Sequence, residues 1–201
     1  MGGLHLHFDA RPWAVVFGAV LATLSGFSAT QLEGLMRRRQ RERSAALFFG
    51  ELLSALELII GVAQEERAQG QPFGAMTMRV LRAAGRELEV YHRNREALYD
   101  LRRTELRGHV HSVMARIGVA VEGINDLTGQ IRQEEQAILA VGPDHPARDD
   151  ALDRLERLLE SRERAFELAV EAIARAPMII VELKPLAKQD FKVYATAVRD
   201  P

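Results

Sequence analysis

Residues 12–32 read PWAVVFGAVLATLSGFSATQL, twenty-one positions without a charged side chain, bracketed by Arg11 and Glu33. As a helix the run reaches roughly 30 Å, the thickness of a bilayer core. A helix is also the form in which a lone segment satisfies its own backbone there. Trp13 stands at one end, where an indole prefers the headgroup level. The run therefore reads as a single transmembrane helix near the N-terminus. A cleaved signal peptide is the rival reading, with Gly26-Phe27-Ser28 as the cleavage site. Against it, the region before the run is long and holds one Arg, whereas the dense basic flank after it has the look of a stop-transfer signal. A buried helix of a soluble protein is a third reading.

That flank is Arg37-Arg38-Arg39-Gln40-Arg41-Glu42-Arg43. Cationic flanks stay in the cytoplasm, so the N-terminus is expected outside and the following domain inside, at a bacterial inner membrane. Arg37, Arg38, Arg39, Arg41 and Arg43 would lie against anionic headgroups, each worth on the order of 1 kcal/mol. Along the span Ala14, Gly18, Ala22, Gly26 and Thr30 recur every four residues and share a face. Small residues spaced in this way let helices approach closely in lipid. The stripe predicts packing against another span, in a homo-oligomer or with a different membrane protein.

Beyond the flank the pattern stays helical. Ala45, Phe49, Leu52, Leu56, Ile59 and Ala63 alternate by four and three, the spacing of a bundle seam. This stretch is apolar enough to raise the question of a second span, returning the chain as a membrane hairpin. Glu51 and Glu57 would then enter hydrocarbon at about 3 kcal/mol each. Both lie off the seam, so a core helix with a solvated edge is the simpler reading. Gln69-Gly70-Gln71-Pro72 breaks the helix. A second helix follows over about 73–91, then a bend at 92–95 and a short helix near 96–101.

Leu106, Val110, Val113, Ile117, Ala120, Ile124, Leu127, Ile131, Glu134 and Ile138 hold the same spacing, which predicts a helix of about 35 residues packed along most of its length. Gly142-Pro143-Asp144-His145-Pro146 stops it and starts a fourth helix, with seam positions Leu152, Leu155, Leu159, Arg162, Phe166, Ala169, Ile173 and Ala176. Pro177 kinks or ends that helix, and Lys184-Pro185 closes the domain. The expected organisation is an outer tail (1–11), the span (12–32), a basic juxtamembrane segment (33–44), a cytoplasmic helical bundle (45–184) and a tail (185–201). The fold class is all-α: one transmembrane helix, then an antiparallel bundle with long coiled-coil-like helices.

Glu134 and Arg162 are charges on otherwise apolar seams. In a hairpin, level residues have numbers of roughly constant sum. This places Arg154, or its neighbour Arg157, opposite Glu134, and Asp126 opposite Arg162. A charge near a core is tolerated chiefly when paired.

The composition carries little chemistry. The net charge is -1, with 27 basic and 28 acidic residues, and cysteine is absent. His109 and His111 point about 200° apart on a helix and do not converge on one ion. The chain has no Glu-x-x-His repeat of the di-metal bundles and no phosphate loop, nucleophile elbow or zinc spacing. Arg79, Arg82 and Arg86 share a helix face, which reads as solvated, not as a nucleic-acid surface, because no aromatics interleave. The expectation is a membrane-anchored interaction or scaffold protein without catalysis, cofactor, metal or nucleic-acid partner. The alternative is a membrane-tethered sensor or signalling module holding a small ligand in its bundle. A buried polar cluster would favour the sensor; a continuous apolar core with an exposed apolar strip would favour the scaffold.

The orientation is open to direct measurement. An alkaline phosphatase fused after the last residue should be inactive, and a cytoplasmic reporter at the same place active. The reverse pattern would overturn the assignment made from the arginines.

Overall fold

The computed structural model describes residues 11–70, 72–140, 145 and 147–191, with the backbone alone described over 11–30. The described residues are all-helical, with no strand among them. The elements are α1 (Arg11–Ala68), α2 (Ala75–Arg93), a 3-10 turn (Arg95–Asp100), α3 (Thr104–Ala140), α4 (Ala147–Ile173) and α5 (Ala176–Ala187). The chain divides into two compact units, residues 1–41 and 42–201. In the first, the backbone is helical from Arg11 onward and every side chain from Gln31 to Arg41 is exposed, Leu32, Leu35 and Met36 among them.

The second unit is built on one apolar core. Phe49, Leu53, Leu56 and Ile60 of α1, Ala84, Leu88 and Tyr91 of α2, Leu106 to Val121 of α3, Ala169 to Ile173 of α4 and Ala176 to Ala187 of α5 share it. Each large aliphatic side chain so buried contributes roughly 1.5–3 kcal/mol against chain entropy. A smaller cluster of Ala63, Met78, Leu81, Ile124 and Phe166 extends it toward the α1–α2 turn. The expected seam on α1 is broader than a 4-3 line: Ala46, Leu53 and Ile60 are also buried, and Ile59 is only half-buried. A helix surrounded by several neighbours buries a wide face, not a two-position stripe.

Among the described residues one stretch, Gln31–Ala68 of α1, is long and apolar enough to cross a membrane, and 44% of its most apolar window is buried in the protein interior. Glu51 and Glu57 are both exposed. Between Ala45 and Ala63 the buried apolar residues of this stretch join the bundle core, and Glu51 and Glu57 stay on its solvated side.

α1 ends at Ala68, and Gly70 takes φ +105°, a left-handed conformation that favours glycine, as the chain turns toward α2. α2 starts and stops two residues later than its spacing suggested, and the expected bend is shorter: Asn94 alone separates α2 from the 3-10 turn. α3 and α4 touch along much of their length. Residue numbers sum to 288 for the Glu134–Arg154 pair and 287 for Arg116–Glu171.

Two expectations need correction. Leu152 and Leu159, placed on the α4 seam, are 43% and 37% exposed. The α1–α2 turn reaches only to the level of Phe166 and Arg162, where Phe73 packs. Beyond it α4 has α3 alone as a neighbour, so only Ala151 on that half of α4 is buried. The boundary at 184–185 also moves. α5 continues through Pro185 to Ala187, where Lys188 in the left-handed region ends it, and Ala187 and Phe191 are buried. Arg43 Nε donates to the Ala187 carbonyl at 3.1 Å, satisfying one of the acceptors that a helix end leaves open.

Gly50 explains where Phe191 goes. A Cβ at Gly50 would collide with the tip of the Phe191 ring, which points end-on at the α1 backbone. Alanine in a helix gains up to about 1 kcal/mol over glycine, but here it would displace a buried ring worth about 3 kcal/mol. Gly50→Ala is therefore expected to destabilise the bundle by about 1–2 kcal/mol in a urea titration; a rise in midpoint would refute the contact.

Candidate functional site

α1 turns its core side toward α3 and α5 and its back toward solvent, next to α2. At about 100° per residue, Phe48, Leu52, Ala55, Ile59 and Val62 follow one another along the side of α1 between core and solvent; Leu52 is buried and the others are half-buried. Phe48, Glu51, Leu52, Ala55, Leu58 and Ile59 of α1, with Glu87 and Val90 of α2, line an open groove of about 350 Å³. Its lining is mostly apolar, and Val90 is 39% exposed. Glu51 stands on the outer α1 flank, exposed, and Glu87 on the α2 wall, half-buried. Past Val90 the α2 surface carries Arg79, Arg82 and Arg86, all exposed. The arginine row is therefore solvated, as its spacing indicated, and it borders the groove.

A second hollow, about 460 Å³, lies between the end of α1 and α4 and is lined by Gln64, Arg67, Ala68, Phe166, Glu167, Val170 and Glu171. Arg67 spans its wall, with its guanidinium 5.0 Å from the Phe166 ring centre and an ion pair to Glu163. Those contacts tie α1 to α4, so this hollow reads as a structural joint.

Among the described residues Tyr91 is the one buried phenol. Its ring packs edge-on to Phe49 at 6.3 Å, and its hydroxyl lies 2.7 Å from His111 Nδ1. In the Nε2–H tautomer the hydroxyl donates to Nδ1. Burial pushes the Tyr91 hydroxyl above its usual pKa of 10.0, with the nearby Arg95 charge pulling the other way. Sequence spacing placed Tyr91 on the α2 seam but gave no sign of His111, which sits at the edge of the α3 core face. The half-buried His111 serves as the polar partner that a buried hydroxyl needs.

The remaining expected residues fall as follows. Ala14, Gly18, Ala22, Gly26 and Thr30 lie within the helical backbone of α1, and their side chains are outside the described residues. Arg37, Arg38, Arg39, Arg41 and Arg43 are exposed on α1; Arg37 pairs with Glu33, and Arg43 commits its Nε to α5. Glu134 and Arg154 are 2.7 Å apart, with the arginine half exposed, so the pair is worth at most about 1 kcal/mol. The companion expectation is corrected. Among the described residues no ion pair joins Asp126 to Arg162, because Asp126 lies on the solvent side of α3 while the Arg162 guanidinium stacks 4.0 Å over the Phe73 ring. Burial lowers the Arg162 pKa, and Glu163 and Glu135 offset that. A cation over an aromatic face supplies what the constant-sum rule assigned to a carboxylate. Phe73 comes from the α1–α2 connection, which a two-helix register does not include.

Among the described residues no group of three or more His, Cys, Asp or Glu side chains gathers to hold a metal. The described residues define a helical protein with two open surface hollows, one on the α1–α2 face and one between α1 and α4. No family model matches the chain, and neither do characterised proteins or solved structures.

Tyr91→Phe should cost about 1 kcal/mol at neutral pH, the net value of one hydrogen bond, with His111 losing its partner. The sign of the pH effect follows from the raised phenol pKa. The contribution is complete below pH 10, where the phenol is neutral in both states, and is lost as pH rises through the folded-state value. Wild type should therefore lose stability above pH 10 more steeply than Tyr91→Phe. Parallel curves would remove the buried hydroxyl from the account.

Proposed function

We propose that this chain is a membrane-anchored helical interaction protein, a scaffold that self-associates and carries out no catalytic step. The 12–32 run anchors it as a single-pass span with its N-terminus outside, and the 42–191 helices form an antiparallel, partly coiled-coil bundle in the cytoplasm. Exposed Arg38, Arg39 and Arg41 meet anionic headgroups at the inner face. The observation that carries the reading is the solvent-open apolar groove on the back of α1, the helix whose backbone also contains the apolar run. Its half-buried apolar lining, with charged residues on both flanks, has the pattern of an interface centre and rim. The constant-sum contacts of α3 and α4 support the antiparallel arrangement, and the main core is a continuous apolar cluster in which the Tyr91 hydroxyl is paired with His111.

The self-association part rests also on the small-residue face of the span. Gly18→Leu and Gly26→Leu would separate two close-packed helices, since leucine at such a face pushes the backbones apart. Each should reduce the homotypic signal in a membrane two-hybrid assay several-fold with insertion unchanged. An undiminished signal would remove the span from the contact.

A further inference from the structure

The charges on either side of the α1–α2 groove are arranged with opposite sign. Phe49 and Tyr91 face each other across the pair, with ring centres 6.3 Å apart, and a short turn joins the two helices. Glu51 is therefore level with Glu89, which is itself paired with Arg93, and Glu65 with Ala75. On the outer α1 flank, Glu51 and Glu65 are exposed. On the outer α2 flank stand Arg79, Arg82 and Arg86, also exposed. Between the flanks runs the apolar floor of Phe48, Ala55, Ile59 and Val90.

We infer that this face binds a second copy of the chain, groove to groove, about a two-fold axis parallel to α1. A two-fold in that direction sets the left flank of one copy against the right flank of the other, at the same height along the helices. Glu51 then meets the partner's Arg86, about one helical turn away in level, and Glu65 meets the partner's Arg79. Symmetry makes each pair twice. The apolar floors meet at the centre, with charged residues at the rim, the usual anatomy of a protein interface. A cationic helix from another protein is the competing occupant, since Glu87 in the α2 wall would attract it. That occupant leaves the Arg79–Arg86 flank unused, whereas a second copy uses both flanks.

The inference rests on the self-association reading and names its surface. The test uses the full chain, which has no cysteine of its own, in nanodiscs of phosphatidylethanolamine and phosphatidylglycerol. Ala55→Cys places a thiol on the groove floor, and Val119→Cys, 65% exposed on α3, serves as the control. With a short bismaleimide, Ala55→Cys should give a cross-linked dimer and Val119→Cys several-fold less. In the Ala55→Cys background, Glu51→Arg and Arg86→Glu should each lower the yield about tenfold, and the double charge swap should restore it to within about twofold. Helix content by circular dichroism checks that each variant is folded. No cross-link at Ala55, equal yields at the two cysteines, or no rescue by the swap overturns the surface. Light scattering on the same samples separates the two ideas. A dimeric mass without the Ala55 cross-link rejects this face and leaves self-association standing; a monomeric mass rejects both. In native membranes, a product whose mass differs from twice the chain assigns the groove to another protein and also overturns the inference.

Discussion

The helices of the second unit depend on one requirement: the apolar side of α1 between Ala45 and Ala63 has to leave water. That side is too wide for one neighbour. It takes α2 along one edge, and α3, α4 and α5 contribute to the same core. At Gly50 the tip of the Phe191 ring reaches the bare α1 backbone, and Arg43 reaches across to finish the last turn of α5. A stretch hydrophobic enough to pass for a membrane span is thereby used as the centre of a bundle. The distinction lies in its two carboxylates. Glu51 and Glu57 would be costly in hydrocarbon, and both are at the solvated edge.

The same requirement explains where the bundle thins. α1 and α2 end at the level of Phe73, Arg162 and Phe166. Beyond that point, among the described residues, α3 and α4 have only each other, and buried positions fall to Thr128, Ile131 and Ile138 on α3 and Ala151 on α4. Thr128 at the boundary returns its hydroxyl to the Ile124 carbonyl at 2.7 Å, and so is satisfied locally. Glu134 and Arg154 pair on this stretch, where a charge pair near solvent adds register at little cost in desolvation.

Much of this was legible in the residues. The 4-3 spacing of Leu106 to Ile138 gave α3 nearly to its ends, because a long seam leaves few alternative phases. Gly70 gave the break after α1, because its backbone preference is local. Three features were not legible. The exposure of Leu152 and Leu159 depends on where α1 and α2 stop, which is a tertiary fact. The Arg162–Phe73 stack depends on a connection between two other helices. The α1–α2 groove is what remains after the core has taken its side of each helix, so neither helix shows it alone. Arg79, Arg82 and Arg86 were visible as a row, but their place beside Glu51 and Glu65 required the two helices to be set side by side.

The most direct test of the central claim is the solvent environment of residue 57 in the intact, membrane-reconstituted chain. A nitroxide on Glu57→Cys, with one on Leu53→Cys for comparison, reports collisions with oxygen, which concentrates in lipid, and with a polar nickel complex, which stays in water. The account predicts that the residue 57 label collides more with the nickel complex than with oxygen, and that the residue 53 label is shielded from both. Oxygen collisions dominating at residue 57 would place this stretch of α1 in the bilayer and contradict the bundle core described above.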